Sequence, residues 1–297
     1  MESAITWPWL RRIQVQFTNL KGGVSRTIEA DGTQNTLHIT AEIQKDIRTI
    51  GMVSSLNIWN LSPDSRSSFI RDETQVRILA GWDKGPMAGL NQVFYGNVLF
   101  SEVQRNGPDI VSKLHIQAGR RSTVTTTIAK SWRQGIPIAM VVENIARAIP
   151  GIGVDPVLIQ GITGSVGESG LPIFTDAETA LNQLGRAYGF YWIIDDGRFS
   201  TVSRDPRKRG ASISSAGTIE HPYLIAASPI VTGIRRVQTG IEGRCMFNSL
   251  LRPGHSVTVK SVLSSQANGE WRLSKIQHSL STHNGEFTTH FSGLRRR

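Results

Sequence analysis

Ser54-Ser55-Leu56-Asn57-Ile58-Trp59-Asn60-Leu61-Ser62-Pro63-Asp64-Ser65-Arg66 reads as a strand that runs straight into a short helix. Met52, Leu56 and Ile58 fall on one side of a two-residue alternation, with Trp59 and Leu61 on the other. Ser62 supplies the side-chain oxygen of a helix N-cap. Pro63 suits the first helical position, where its missing N–H has no partner to lose, and Asp64 suits the positive end of a helix. Such a junction fixes where a sheet stops and how the chain leaves it. It carries no chemistry of its own.

Around this stretch the first 120 residues read as β structure. Ile13, Val15 and Phe17 share a face, Asp31-Gly32 marks a turn, and Leu37 and Ile39 open the next strand. Val76, Ile78, Ala80 and Trp82 line one face of Gln75 to Trp82, and Asp83 to Gly89 is a loop. Val93 to Val103 is apolar on both parities, as expected of a strand covered on both sides or lying at a subunit contact. Asn106-Gly107 is a hairpin turn signal, and Ile110, Ser112, Leu114, Ile116 and Ala118 form the returning face. The expectation is a closed or nearly closed antiparallel sheet over residues 1–120.

The period changes near Arg120. Ile138, Val141, Val142, Ile145, Ala146 and Ile149 follow a helical stripe that Pro150-Gly151 stops. Thr175-Asp176-Ala177-Glu178 is a capping box for a second helix that buries Ala177, Ala180, Leu181, Leu184 and Tyr188. A hairpin follows, Phe190 to Ile194 and Phe199 to Val202, around the turn Asp195-Asp196-Gly197. Two helices and a hairpin make a small α+β unit at 121–205. Asp205 to Ser212 has linker composition. Beyond it come candidate strands Ile230–Val237, Arg244–Leu251, His255–Leu263, Glu270–Leu280 and Glu286–Leu294, with Asn268-Gly269 and Asn284-Gly285 as hairpin turns. The apolar parity switches between Leu273 and Ile276, as a β-bulge would make it do. The fold class is mainly β with an α+β insert: two antiparallel β-barrel or sandwich domains, 1–120 and 206–297, flank the small domain at 121–205.

A chain of 297 residues, 39% hydrophobic and 19% charged, can bury more than one core. No apolar run approaches the ~20 residues that span a bilayer. Met1 to Trp7 lacks a basic segment followed by an apolar one, so no signal peptide is expected and synthesis fits a cytoplasm. A single cysteine, Cys245, excludes an internal disulfide framework and a multi-cysteine metal site. Of the net charge of +10, most lies in residues 206–297, with thirteen Lys/Arg against four Asp/Glu. Arg207-Lys208-Arg209 and Arg295-Arg296-Arg297 supply six of those thirteen. Such asymmetry fits contact with nucleic acid or an acidic protein surface, or simply a solvated linker and tail.

No reaction chemistry emerges. Gly161, Gly164, Gly167 and Gly170 recur every third residue, but no Lys-Ser/Thr pair follows and no βαβ unit frames them, so a surface loop is expected. Gly167-Glu168-Ser169-Gly170 falls one residue short of a nucleophile elbow. His278, His283 and His290 straddle the Asn284-Gly285 turn, yet their spacing matches no metal-ligand pattern, and surface or interface histidines are expected. Asp195-Asp196 is better explained as a hairpin turn than as a paired-carboxylate site. Cys245, beside Met246 and Phe247, reads as a buried inert thiol. Trp271, Phe287 and Phe291 read as inward-facing strand residues, so the basic third lacks the stacking aromatics of a nucleic-acid reader. No catalytic, cofactor-binding or metal-ligating residue is assigned. The reading from another class is a basic β-rich nucleic-acid-binding protein; an enzyme acting on cell-wall polysaccharide is a third.

The run Ile58-Trp59-Asn60-Leu61-Ser62-Pro63-Asp64-x-Arg66 resembles the aliphatic–aromatic–Asn-Leu-Ser junction of phage tail baseplate hub proteins. Val93-Phe94-Tyr95-Gly96-Asn97-Val98, with the turn Gln104 to Asp109, is similar to the next hairpin of that family. So is Ala177 to Val202, and so are Pro229-Ile230-Val231 and Gly243 to His255, where a Leu-x-Pro-Gly turn precedes a strand. Asn248-Ser249-Leu250 departs from the family's Asn-Pro at that turn. The resemblance implies a structural, non-enzymic hub: a homotrimer of chains with two tail-tube-like β domains each, making a pseudo-sixfold ring. That ring would join the hexameric tail tube to the threefold central spike, line the DNA passage without sequence specificity, and contact other baseplate proteins. The protein would be assembled in the host cytoplasm and reside in the virion, with no membrane insertion. The basic third would lie near the DNA passage or dock on acidic neighbours.

Overall fold

The computed structural model describes residues 10–18, 25–31, 33, 36–48, 51–69, 74–85, 87–205, 212–232 and 237–295. The basic run at 207–209, Arg296, Arg297, Gly32 and most of the expected linker lie outside them. First come β1 (Arg11–Thr18), β2 (Ser25–Ala30), β3 (Ile39–Asp46), β4 (Val53–Trp59), α1 (Pro63–Phe69), β5 (Gln75–Trp82), β6 (Gly89–Asn106) and β7 (Asp109–Gln117). The middle holds α2 (Arg120–Thr125), β8 (Thr127–Trp132), α3 (Ile138–Ala148), β9 (Gly153–Ile159), β10 (Leu171–Asp176), α4 (Ala177–Tyr188), β11 (Phe190–Asp195) and β12 (Arg198–Ser203). The last part has β13 (Ser215–Glu220), β14 (Leu224–Thr232), β15 (Val237–Met246), β16 (Ser256–Lys260), β17 (Gly269–Ser281) and β18 (Phe287–Arg295). The protein is mainly β.

One large sheet runs β14-β15-β18-β17-β3-β4-β7-β6-β5-β1-β2, with β16 also on β17 and β13 on β16. Strands from both ends of the chain meet where β3 pairs with β17, Thr40 to Asp46 opposite Ser281 to Lys275. The first half of β17 instead pairs with β16, Arg272 facing Ser256 and Gly269 facing Val259. Between the two partners the register with β18 shifts at Leu273/Lys275. The expected parity switch is thus a bulge: Trp271 and Leu273 before it and Ile276 after it enter one core, and Leu280 further on enters the other.

Seven strands, β3-β4-β7-β6-β5-β1-β2, surround one core that includes Ile13, Val15, Ile43, Leu56, Ile58, Ile78 and Leu114. Phe247, Leu280 and Phe287 reach into it from the last part of the chain. A second core joins α3, α4 and β11, and includes Val141, Val142, Ile145, Leu181, Phe190 and Trp192. A third holds Ile241, Cys245, Val257, Trp271 and Phe291.

Several local expectations are modified. The middle stretch contains, beyond two helices and a hairpin, the short α2, a β8–β10 ladder, and β9 parallel to β12. The cap of α4 is Asp176, one residue later than the capping-box pattern implies: its carboxylate accepts from the Thr179 amide at 2.8 Å. Val93, Phe94 and Val98 are buried, but Leu99, Phe100 and Val103 are exposed in the single chain, because β5 accompanies only the first half of β6. Of the strand expected at Ile230–Val237, Ile230 to Thr232 belong to β14 and Val237 to β15, and residues 233–236 lie outside the described set. The strand expected at Arg244–Leu251 ends at Met246. β13 and most of β14 carry no strand pattern in the sequence, because Ser, Ala, Gly and Pro blur their alternation.

Candidate functional site

The strand-to-helix stretch is a corner tied by side chains. Asn60 leaves β4 in the left-handed region at φ 55°, which asparagine tolerates because its short side chain bonds locally. Its amide donates to the Ile110 carbonyl at 2.7 Å. Its Nδ2 donates to Asp109 Oδ1 at 2.8 Å, and its Oδ1 accepts from the Ile110 amide at 3.0 Å. The end of β4 is thereby fastened to the start of β7. Ser62 Oγ accepts from the Ser65 amide at 3.3 Å, capping α1 as expected. Trp59 stacks on His38, with ring centroids 4.1 Å apart.

The densest polar constellation lies where the three parts of the chain meet. The β11–β12 turn puts Asp196 (φ 53°) and Gly197 (φ 76°) at positive φ, the requirement of a tight twisted hairpin. Gly197 lies so close to β6 that a β-carbon there would stand 2.8 Å from the Tyr95 ring. Asp195 is ion-paired to Lys45 of β3, whose Nζ also lies 3.3 Å from Asp196 Oδ1. On the other side, Nη1 of Arg252, from the β15–β16 connection, lies 3.3 Å from Asp195 Oδ2 and 2.7 Å from Asp196 Oδ2. The shorter contact is off the hydrogen-bond direction, so it is an ion pair without a directed bond. Gln92 of β6 closes the ring, donating to the Asp196 carbonyl at 3.1 Å while its own carbonyl accepts from Arg252 Nη2 at 3.3 Å.

Lys45, Asp195, Asp196 and Arg252 are 12%, 14%, 4% and 29% exposed, so these charges interact with little water between them. Burial alone would raise the Asp195 pKa, but Lys45 and Arg252 outweigh it and hold the carboxylate below its usual range. Burial and the charge of Asp195 raise Asp196. Burial opposes the charge on Lys45, yet Asp195 and Asp196 hold its pKa above the ordinary lysine value. Lys45 and Arg252 together balance the charge of the pair, with Asp195 as its ionised partner. The arrangement is a staple. A cavity of about 430 Å³ beside it is lined by Arg198, Ser200, Ser214, Arg252 and His255 together with the two aspartates.

A second tie lies nearby. Arg272 of β17 is buried, donates to the carbonyl of Ser203 and lies 3.5 Å from that of Arg204, at the exit of β12. Burial lowers its pKa to about 10.

The three histidines are not brought together. His278 is fully buried, against the expectation of a surface or interface residue, because the bulge in β17 turns it into the core. There it lies 2.9 Å from Thr289 Oγ1 and edge-on to Phe247, and burial pushes its pKa down to about 3. His290 pairs across the ladder with Gln277, so it faces the opposite side, 3.7 Å from Glu286. His283 is half-buried at the turn, with its ring centroid 5.1 Å from that of His38. Among the described residues no group of three or more His, Cys, Asp or Glu could hold a metal. Cys245 is buried, and desolvation raises its thiol to about 12. Gly161 to Gly170 form a loop whose Gly164 carbonyl and Val166 backbone bond to the segment entering α3. No helix among the described residues is long and apolar enough to cross a membrane.

Lys45 and Arg252 carried no signal in sequence. They stand some 150 and 57 residues from Asp195, and only the fold brings them to it. The one available hint was an Asp-Asp-Gly turn with more charge than a solvent turn needs.

No family model and no curated protein matches the sequence. Solved structures do match in fold. A 43 kDa tail protein of prophage MuSo2 from Shewanella oneidensis aligns with a TM-score of 0.64 at 10% identity, over 95% of this chain and 96% of that one. The tail protein from Neisseria meningitidis MC58 gives the same values. An Escherichia coli protein described as a type VI secretion system component, structurally similar to T4 bacteriophage tail proteins gp27 and gp5, aligns with a TM-score of 0.58 at 10% identity, over 90% of this chain and 76% of that one. Across nearly its whole length, this chain has the fold of phage tail proteins.

Proposed function

We propose that the chain is a structural hub protein of a phage tail baseplate, not an enzyme, assembled as a homotrimer. Two tube-like β domains, 1–120 and 206–297, flank the α+β domain at 121–205, and three chains make a pseudo-sixfold ring. The ring joins the hexameric tail tube to a threefold central spike, contacts other baseplate proteins, and leaves a passage for DNA. The protein is assembled in the host cytoplasm and resides in the virion.

The observation that carries this reading is the whole-chain fold match to two tail proteins, each covered to 96% of its own length. The likeness of a matched secretion-system component to gp27 and gp5 points the same way toward a hub. Fold alone does not fix function. The buried ionic staple fits that reading, since Lys45 and Arg252 hold Asp195 in ion pairs that join the three parts of the chain.

Electron microscopy of the purified protein tests the reading. A threefold ring with a central hole, and a light-scattering mass near three times 32.7 kDa, are expected. A monomer at all concentrations that binds neither tube nor spike protein overturns it. Tight, strongly salt-dependent DNA binding by such a monomer would favour the nucleic-acid-binding alternative.

A further inference from the structure

Val262 and Leu263 are neighbours in sequence and stand 87% and 91% exposed, in the connection between β16 and β17. Two adjacent aliphatic side chains left this open are unfavourable in water unless a partner covers them. The loop that presents them is held by its own bonds. Asn268 Oδ1 accepts from the Ser261 amide, Asn268 Nδ2 donates to the Ser261 carbonyl at 3.3 Å, and Ser261 Oγ accepts from the Ser264 amide at 3.0 Å. The short turn that follows is anchored below: Ala267 is buried, and its carbonyl accepts from Trp271 Nε1 at 2.9 Å. The pair forms a fixed knob, and a fixed knob loses little freedom on docking.

The same chain carries a hole of matching character. A cavity of about 190 Å³ is lined by Trp82, Met87, Asn91, Phe247 and Leu250, with Leu250 itself 60% exposed. Its walls are fixed too. Trp82 Nε1 donates to the Phe247 carbonyl at 3.0 Å, and Asn248 Oδ1 accepts from the Leu250 amide at 2.9 Å. The volume suits one or two aliphatic side chains, and neither knob nor hole presents a charge that would have to be desolvated.

Knob and hole lie toward opposite ends of β17. The knob adjoins Gly269, where β17 begins; the hole adjoins Phe287, which contacts Trp82 and pairs with Leu280 near the end of β17. Eleven steps along β17 separate Gly269 from Leu280, with the bulge between them. In the single chain the knob stands open and leaves the hole unfilled, and it can fill that of a second copy. We propose that Val262-Leu263 of one copy docks in the Trp82–Met87–Leu250 cavity of a second copy. The contact is heterologous, so it propagates from chain to chain and closes when the rotation per step allows. Closure into three rests on the ring assembly proposed above; the contact itself does not.

Cross-linking the full-length chain tests this. Leu263→Cys and Leu250→Cys are made in separate chains, mixed and oxidised; the natural Cys245 is buried and stays out of the exchange. A disulfide-linked heterodimer on a non-reducing gel is expected from the mixture and not from either variant alone. Leu263→Asp, at a solvent-exposed position that leaves the fold unchanged by circular dichroism, should weaken self-association at least tenfold. If the wild type assembles into rings while Leu263→Asp assembles equally well and no heterodimer forms, the contact is wrong and the ring reading stands. If the wild type remains monomeric and no heterodimer forms, both fall. Binding of a different protein at the Leu263 loop, with self-association unaffected by Leu263→Asp, also removes a second copy as the occupant.

Discussion

Replacing Asn60 by alanine deletes two side-chain bonds, to Asp109 and the Ile110 amide, and leaves a β-carbon residue at φ 55°. The expected loss is about 2–3 kcal/mol, combining two modest hydrogen bonds with the left-handed backbone penalty. Asn60→Gly relieves the backbone but not the bonds, so its urea midpoint should fall between those of alanine and wild type. Equal midpoints for all three would show that the corner is not held this way. Ser62→Ala, which removes the α1 cap, should cost about 1 kcal/mol in the same measurement. His278 gives a pH signature. Its folded pKa is about 3, against an ordinary value near 6.5, so between these limits the unfolded chain binds a proton that the native one refuses. Stability should fall as pH drops through that window, by about 2–3 kcal/mol at pH ~4.5 from this group alone. In His278→Gln that part of the slope should vanish, and a slope identical to wild type would contradict the assignment. The asparagine and the cap were legible from residue type and position. The burial of His278 was not, because it depends on which side of a bulge the residue falls.

Among the elements, β17 shows how far local pattern reaches. Its parity switch, its Asn268-Gly269 start and the inward face of Trp271, like those of Phe287 and Phe291 on β18, follow from alternation and turn chemistry. What alternation does not contain is the change of neighbour, since β16 lies a few residues away and β3 more than 200. The long helices were equally readable, because their apolar stripes repeat with the helical period. β13 and β14 were not, for they are poor in the branched residues that mark a strand. The β11–β12 hairpin is intermediate: its turn was plain, its insertion under Tyr95 was not. Gly197→Ala sets a β-carbon 2.8 Å from that ring at a φ of 76°. It should cost about 1–3 kcal/mol through strain and displacement of the ring, read as a lowered thermal midpoint. An unchanged midpoint would mean that Tyr95 yields freely.

At the scale of the whole molecule, the three parts are joined by ion pairs as well as by cores. Lys45→Met leaves two buried carboxylates facing Arg252 alone, and should destabilise the protein by about 3–5 kcal/mol. Faster amide exchange over residues 190–205 in this variant would show that the hairpin has come loose; exchange matching wild type would put the hold elsewhere. The staple was illegible in sequence for the same reason as the β3–β17 pairing: both join residues that only the finished fold makes neighbours. That pairing has a mechanical side. Seven register pairs, Thr40 to Asp46 against Ser281 to Lys275, connect the two β regions in one ladder, while the strands of the middle region belong to separate sheets. A force pulling the β regions past each other along the strand direction loads those backbone bonds in parallel, the geometry in which they must break together. The α+β region lies beside that load path, held by its ionic staple while the sheet bears the strain.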